Sequence, residues 1–360
     1  MTKTRYPYID IARGISITLL VLGHTLGYSE HSKLVYKLIY SFVVPLFFLV
    51  SGYVSNMKSS IKEFIRGRFI RIVVPYFIWG LLFLIPYLMM GNTTADSLNM
   101  TAENDALVLI RNVLYGIGKD GALRHNSTLW FLPALFTIEV TDYFVILCVN
   151  KLKKPLFEIV ALAILIIIGY SSSKYLVVDL PWGINTMLVA GPYFYVGYLL
   201  RKHDLISKLA TLKYRKVIEV SLLAIWFITA YSNSLLAFMS YSYGNMVLGY
   251  LSGMSMSILL ITLSMRIRTS RVLELVGRNT MSVMLFHKLV VLIFQTKAGE
   301  ITRWLKHSNI IVEIALSMVI TIIAIACSLV AATILRKLFP FAIGEVRREK
   351  KTITWRGEKK

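Results

Sequence analysis

The sequence predicts an all-α membrane protein of about ten transmembrane helices with both termini cytoplasmic. Three observations predict this. Of the 360 residues, 56% are hydrophobic and only 16% charged, with a mean hydropathy of +0.64, whereas soluble domains carry roughly 25% charged residues. Several runs approach the roughly 20 apolar residues that cross a bilayer. Lys and Arg are unevenly spread between alternate loops. With the N-terminus inside, the cytoplasmic segments hold 29 of the 40 and the outer loops 9, the bias that orients membrane proteins. That bias also accounts for the net charge of +21, and no nucleic-acid-binding signature accompanies it.

Candidate spans run over 9–28, 37–55, 69–90, 128–149, 155–171, 183–200, 216–232, 244–264, 280–297 and 310–335. They are read as helices because lipid leaves the backbone no outside hydrogen-bond partner. The polar N-terminus "MTKTRYPYIDIARG" leads into the first span without a small-residue cleavage site, so that span is expected to stay in the protein. Between the second and third spans, "KSSIKEFIRGRFIR" (58–71) is basic and partly apolar, the pattern of an interfacial helix. The longest outer loop, 91–127, has a helical core at 103–117 expected to cover an outer cavity. Pro45, Pro75, Pro133 and Pro192 interrupt spans, where a missing N–H bends a helix and frees a carbonyl. The tail, 341–360, is basic and expected to be disordered beside an anionic leaflet. Cys148 and Cys327 are far apart in apolar helical stretches and read as packing residues.

Ionisable groups inside spans are where chemistry is expected, because they are costly in lipid and face a bundle interior or wet cavity. In "RGISITLLVLGH", Arg13 and His24 lie eleven residues apart, hence on one helical face and ~16 Å apart along the axis. The plain alternatives are an Arg13 anchor paired with Asp10, and a His24 bonded to nearby backbone. Arg68 and Arg71 stand three apart at the foot of the third span and are expected to point the same way. Two such guanidinium forks suit phosphate, although positive-inside anchoring alone would also place them there. Glu139 and Asp142, one turn apart, are each expected to meet a cation or a His. His287 is a further titratable group within a span, and Lys288 also lies inside one. Nothing has the spacing of a metal site.

"YIDIARGISITLLVLGH" followed by "SFVVPLFFLVSGYV" resembles the start of the acyltransferase-3 membrane family, whose members O-acetylate bacterial surface glycans. "RGRFIRIVVPY" resembles its paired-arginine motif, "STLWFLPALFTIE" its Trp-Phe-Leu segment and "GRNTMSVMLFH" its late segment ending in His. The resemblance covers about residues 6–335. One departure is visible: many members have a Phe-His pair before the second-span proline, where this chain has Val43-Val44. The resemblance implies a domain over 1–340 followed by the tail, with no appended esterase-like domain. It implies a bacterial plasma-membrane enzyme with three partners: acetyl-CoA as acyl donor, a carbohydrate acceptor on the outer side, and the bilayer. No separate cofactor, metal or nucleic acid is implied. His24 would be the catalytic residue, as general base or transient acetyl carrier, with Glu139 orienting or charge-pairing with it. Arg13, Arg68 and Arg71 would hold the donor, and Asp10, Trp130 and His287 would line the site. The short loops lean toward a lipid-linked or capsular sugar, as in the fucose-4-O-acetylase branch. Two rival readings are a secondary transporter with His24, Glu139 and His287 as a proton relay, and a non-enzymatic membrane partner of acyl groups or polysaccharide.

Overall fold

The computed structural model describes residues 5–26, 32–90, 106–267, 269–297 and 309–345. These residues form a helical bundle whose only extended pairing is the isolated bridge Ala237–Ser242. Within the described residues, each of the ten segments expected to span is helical, and six helices there are long and apolar enough to cross a membrane. The six are Ser32–Val54, Ile61–Met89, Arg124–Leu152, Pro155–Tyr175, Met246–Arg266 and Ile310–Leu338.

Helix α1 (Pro7–Thr25) stands near the centre. It packs against α3 (Val43–Val54), α13 (Met246–Arg266), α14 (Arg271–Arg278), α15 (Thr280–Lys297) and α16 (Ile310–Leu338). Its Asp10, Arg13, Ser16 and His24 dilute its hydropathy, which an interior helix tolerates because it meets protein rather than lipid. By contrast α9 (Pro155–Tyr175) exposes Ile159, Ile164 and Ile167, as a helix bathed in acyl chains should. Helix α3 lies close along α10 (Ile184–Lys202). The contact depends on glycine: a Cβ on Gly52 would strike the Phe194 carbonyl, and one on Gly197 the Leu49 carbonyl.

The second span is two helices, α2 (Ser32–Tyr40) and α3, broken at Ser41–Phe42. The interfacial segment forms α4 (Ile61–Arg68), opened by a capping box between Ser60 and Glu63. It continues through a π-turn (Phe69–Val73) into α5 (Val74–Leu82) and α6 (Leu84–Met90). Pro75 supplies the reason for the turn, since it has no N–H to return to the Arg71 carbonyl. In the loop 91–127, α7 (Ala106–Tyr115) realises the expected helical core. It packs on α5, where Tyr76 donates to the Val113 carbonyl at 2.5 Å; it lines neither of the cavities described below. Residues 91–105 lie outside the described residues. The fourth to seventh candidate spans correspond to α8 (Phe131–Leu152), α9, α10 and α12 (Arg215–Ser232), with α11 (Leu205–Thr211) between the last two.

Two expectations are corrected. Cys148 and Cys327 are exposed on the bundle surface rather than packed, because an apolar span does not reveal which of its faces meets lipid. The start of the tail is ordered: Ala342 and Ile343 are buried, Trp79 donates to the Ala342 carbonyl at 2.7 Å and Arg336 pairs with Glu345 at 2.7 Å. Residues 346–360 lie outside the described residues.

Two buried apolar clusters fill the bundle, one around α3, α10 and α13 and the other around α5, α15 and α16. Leu20, Trp130, Phe131 and Leu135 pack against both clusters, and the candidate site opens at this seam.

Candidate functional site

Helix α1 presents Arg13, Ile17, Leu20 and His24 to a cavity of about 370 Å³. Their spacing of four, three and four residues is that of one helical face. Val44, Phe47 and Ser51 of α3 and Trp130, Phe131 and Leu135 at the start of α8 form its walls. Helix α15 contributes Thr280, Met281 and Met284, and the segment Leu235–Ser240 closes the His24 end. Two devices hold this shell. Ala237 and Ser242 exchange backbone hydrogen bonds of 2.7 and 3.1 Å across the closing segment. Asn126 donates to the Leu285 carbonyl at 2.8 Å, and Thr128 donates to the Met284 carbonyl at 2.9 Å, tying the turn before α8 to α15.

At one end, His24 Nδ1 lies 3.2 Å from the Tyr40 hydroxyl, and the Tyr36 ring packs on Tyr40 with centroids 4.4 Å apart. The His287 ring stacks on His24 at 5.3 Å and 28°. His287 is fully buried. Its Nδ1 donates to the Val283 carbonyl at 2.6 Å, and its Nε2 has no hydrogen-bond partner among the described residues. The α15 main chain thus sets the His287 tautomer and holds its ring flat against His24.

At the other end the charges are paired. Arg68 Nε lies 2.7 Å from Glu139 Oε2. The same guanidinium donates to Ser55 Oγ at 3.1 Å and sits 4.9 Å over the Phe64 ring. Arg13 is close enough to Asp10, Glu139 and Arg68 to feel their charges. Asp10 is itself held by Arg5 at 2.8 Å and Arg278 at 3.7 Å.

The cavity therefore unites Arg13, His24 and Trp130, with His287 stacked behind His24. Asp10 lines neither cavity. Glu139 meets a cation as expected, but that cation is Arg68 at the Arg13 end, one helical turn beyond the wall residue Leu135, rather than His24 as the resemblance implied. The pairing of Arg68 with Arg71 is also corrected. Arg68 is turned inward and Arg71 is exposed. The intervening π-turn winds less per residue than an α-helix, so positions three apart no longer overlie. Asp142, expected to meet a cation or a His, is buried against α10 near Gly191, with both oxygens unpartnered among the described residues. Tyr40 and the closing segment 235–240 were not anticipated from the sequence. The i, i+4 tyrosines Tyr36 and Tyr40, and the apolar stretch "LLAFM" between two spans, were the available signals.

A second cavity of about 590 Å³ adjoins the first and shares His24, Tyr36 and Leu235 with it. Its remaining lining is Gly23, Leu26, Lys33, Lys37 and Lys288.

No solved structure matches the chain. The chain is similar to the nodulation protein NolL of Mesorhizobium japonicum, 34% identical over 88 residues. That match spans 22% of this chain and 24% of the relative's length. The family model described as an acyltransferase domain matches residues 6–335. With its apolar helices, the chain is a multi-pass membrane protein that belongs to the acyltransferase-3 family.

Proposed function

We propose that the protein moves an acetyl group from cytoplasmic acetyl-CoA to a hydroxyl of a surface polysaccharide or its lipid-linked precursor. The observation that carries this reading is the single cavity with Arg13 at one end and His24 at the other. A guanidinium suits the phosphates of a nucleotide-bearing donor. An imidazole suits proton exchange at the reacting hydroxyl. Along α1 the two are ~16 Å apart, so the phosphates can stay at the charged mouth while the thioester reaches His24.

With His24 Nδ1–H donating to the Tyr40 oxygen, Nε2 carries the lone pair. As the acceptor oxygen attacks the thioester carbonyl, Nε2 takes the hydroxyl proton. The tetrahedral intermediate then expels the CoA thiolate, which recovers that proton, leaving an acetyl ester and CoA. In the alternative sequence His24 itself accepts the acetyl group and passes it on. Stacked behind it, His287 keeps the ring plane fixed in either case. Arg13 and Arg68 hold the donor phosphates, with exposed Arg71 as an outer contact and Glu139 as the group that positions Arg68. Ten spans, both termini cytoplasmic and a bacterial plasma membrane complete the reading. The charge asymmetry of the loops supports the orientation.

The test uses full-length protein in nanodiscs. CoA thiol should be released from acetyl-CoA only when a hydroxylated glycan acceptor is supplied, or an acetyl-protein adduct labile to hydroxylamine should accumulate without one. Protein that neither binds nor consumes acetyl-CoA ends the proposal. For orientation, a cysteine replacing Val177 in a cysteine-free background should react with an impermeant maleimide in intact cells, and one replacing Lys213 only after lysis. The reverse pattern would overturn the donor side.

A further inference from the structure

The second cavity lies on the far side of His24 from Arg13, and the mechanism above makes no use of it. Resting on the acyl-transfer reading, we propose that this cavity is the acceptor site and that its acceptor carries an anionic group, phosphate or carboxylate, near the hydroxyl to be acylated. Donor and acceptor would then reach one imidazole from opposite sides, as the shared lining residues His24, Tyr36 and Leu235 allow.

The charge of the cavity argues for the anion. Three lysines line it, Lys33, Lys37 and Lys288, and no carboxylate among the described residues does. Lys37 is pre-positioned, because its ammonium donates to the Tyr231 carbonyl at 2.8 Å and the Asn233 carbonyl at 3.1 Å. Carbonyls fix an ammonium without cancelling its charge, and one of its three donors remains. Lys288 follows His287 directly in α15 and lies near enough to His24 to act on it electrostatically. No hydrogen bond, ion pair or ring contact engages Lys288 among the described residues, although it sits within a helix expected to span. A cation at that depth is costly without a counter-charge, and a bound anion would supply one. Topology does not explain these lysines. In the proposed orientation the positive-inside bias depletes this side of the protein, and Lys288 lies within a span. Lysine presents a point charge with three donors, which suits a phosphate or carboxylate that approaches from more than one direction.

The test measures anion binding separately from catalysis. Inorganic pyrophosphate and, in a second arm, glucuronate are titrated by calorimetry into full-length protein in neutral-lipid nanodiscs, with saturating CoA present to occupy the arginine end. Wild type should bind one of the two, and added salt should weaken binding. Lys37→Gln and Lys288→Gln should each weaken it about tenfold or more, the loss of a charged hydrogen bond, while Lys288→Arg retains it. Binding of pyrophosphate alone points to a lipid-diphosphate-linked sugar, and binding of glucuronate alone to an acidic sugar. If Lys288→Gln fails to fold, the rim variant Lys37→Gln decides. Wild type that binds neither anion, or variants that bind like wild type, would overturn the proposal even where acetyl-CoA turnover is intact. Lost acetyl-CoA turnover with anion binding preserved would instead sink the acyl-transfer reading.

Discussion

The two ends of α1 solve the same problem differently. At the Arg13 end, buried carboxylates meet cations: Glu139 meets the largely covered Arg68, and Asp10 meets the exposed Arg5 and Arg278. At the His24 end the described partners are the Tyr40 hydroxyl, the His287 ring and the nearby Lys288 charge, with no carboxylate among them. A permanent charge in a low-dielectric site needs a permanent counter-charge. An imidazole can remain neutral there and be held by a hydroxyl and a stacked ring, which leaves it able to take a proton when one is offered. On the proposed reading, one end holds charge and the other exchanges protons.

The largest expected effect breaks the second end. His24→Ala should lower acetyl transfer ~10²–10⁴-fold, the usual worth of a general acid–base group, while acetyl-CoA binding by calorimetry stays close to wild type. Transfer near the wild-type level would show that the imidazole is not the reacting group. At the first end, Glu139→Ala strands the Arg68 guanidinium and should cost about 3–5 kcal/mol in an unfolding assay. A paired Glu139→Leu, Arg68→Met variant should recover most of that. If the double variant is as unstable as the single one, the ion pair is not the source of the loss. Arg13→Ala should raise the KM for acetyl-CoA about ten- to a hundredfold with a smaller change in kcat; the opposite split would move Arg13 from donor binding to chemistry. Tyr40→Phe should cost about 0.5–1.5 kcal/mol of transition-state stabilisation, read as a severalfold drop in kcat with the KM for acetyl-CoA unchanged. Arg71→Ala should have the smallest effect, within about 0.5 kcal/mol on stability as befits an exposed residue, with a weaker loss of donor affinity than Arg68→Ala. An equal loss would show that both guanidiniums reach the donor despite the π-turn.

Much of this was legible in the chain. Each of the ten apolar segments is helical, because hydrophobic length and backbone satisfaction are properties of the segment alone. The shared face of Arg13 and His24 was legible because eleven residues return an α-helix to nearly the same azimuth, and both side chains line the cavity. Such arithmetic failed wherever a second element mattered. Periodicity placed Arg68 and Arg71 on one face, and the proline-induced π-turn turned them apart. The cost of a bare carboxylate in a span predicted a cation or a His for Glu139, and the resemblance implied His24, yet the cation it meets, Arg68, comes from α4. Cys148 and Cys327 looked like core residues because composition does not distinguish a lipid-facing stripe from a packed one.

The sequence by itself determined the class of the protein, its helical segments, the face that Arg13 and His24 share and the family resemblance that the match over residues 6–335 bears out, since each is encoded locally or in motif order. Only the tertiary structure decided which side chains meet: Tyr40 and His287 at His24, Glu139 at Arg68, and Lys37 and Lys288 around a second cavity. Those partners come from helices separated by up to hundreds of residues along the chain, and their pairing follows from helix packing and the seam between two apolar clusters rather than from any spacing along the chain.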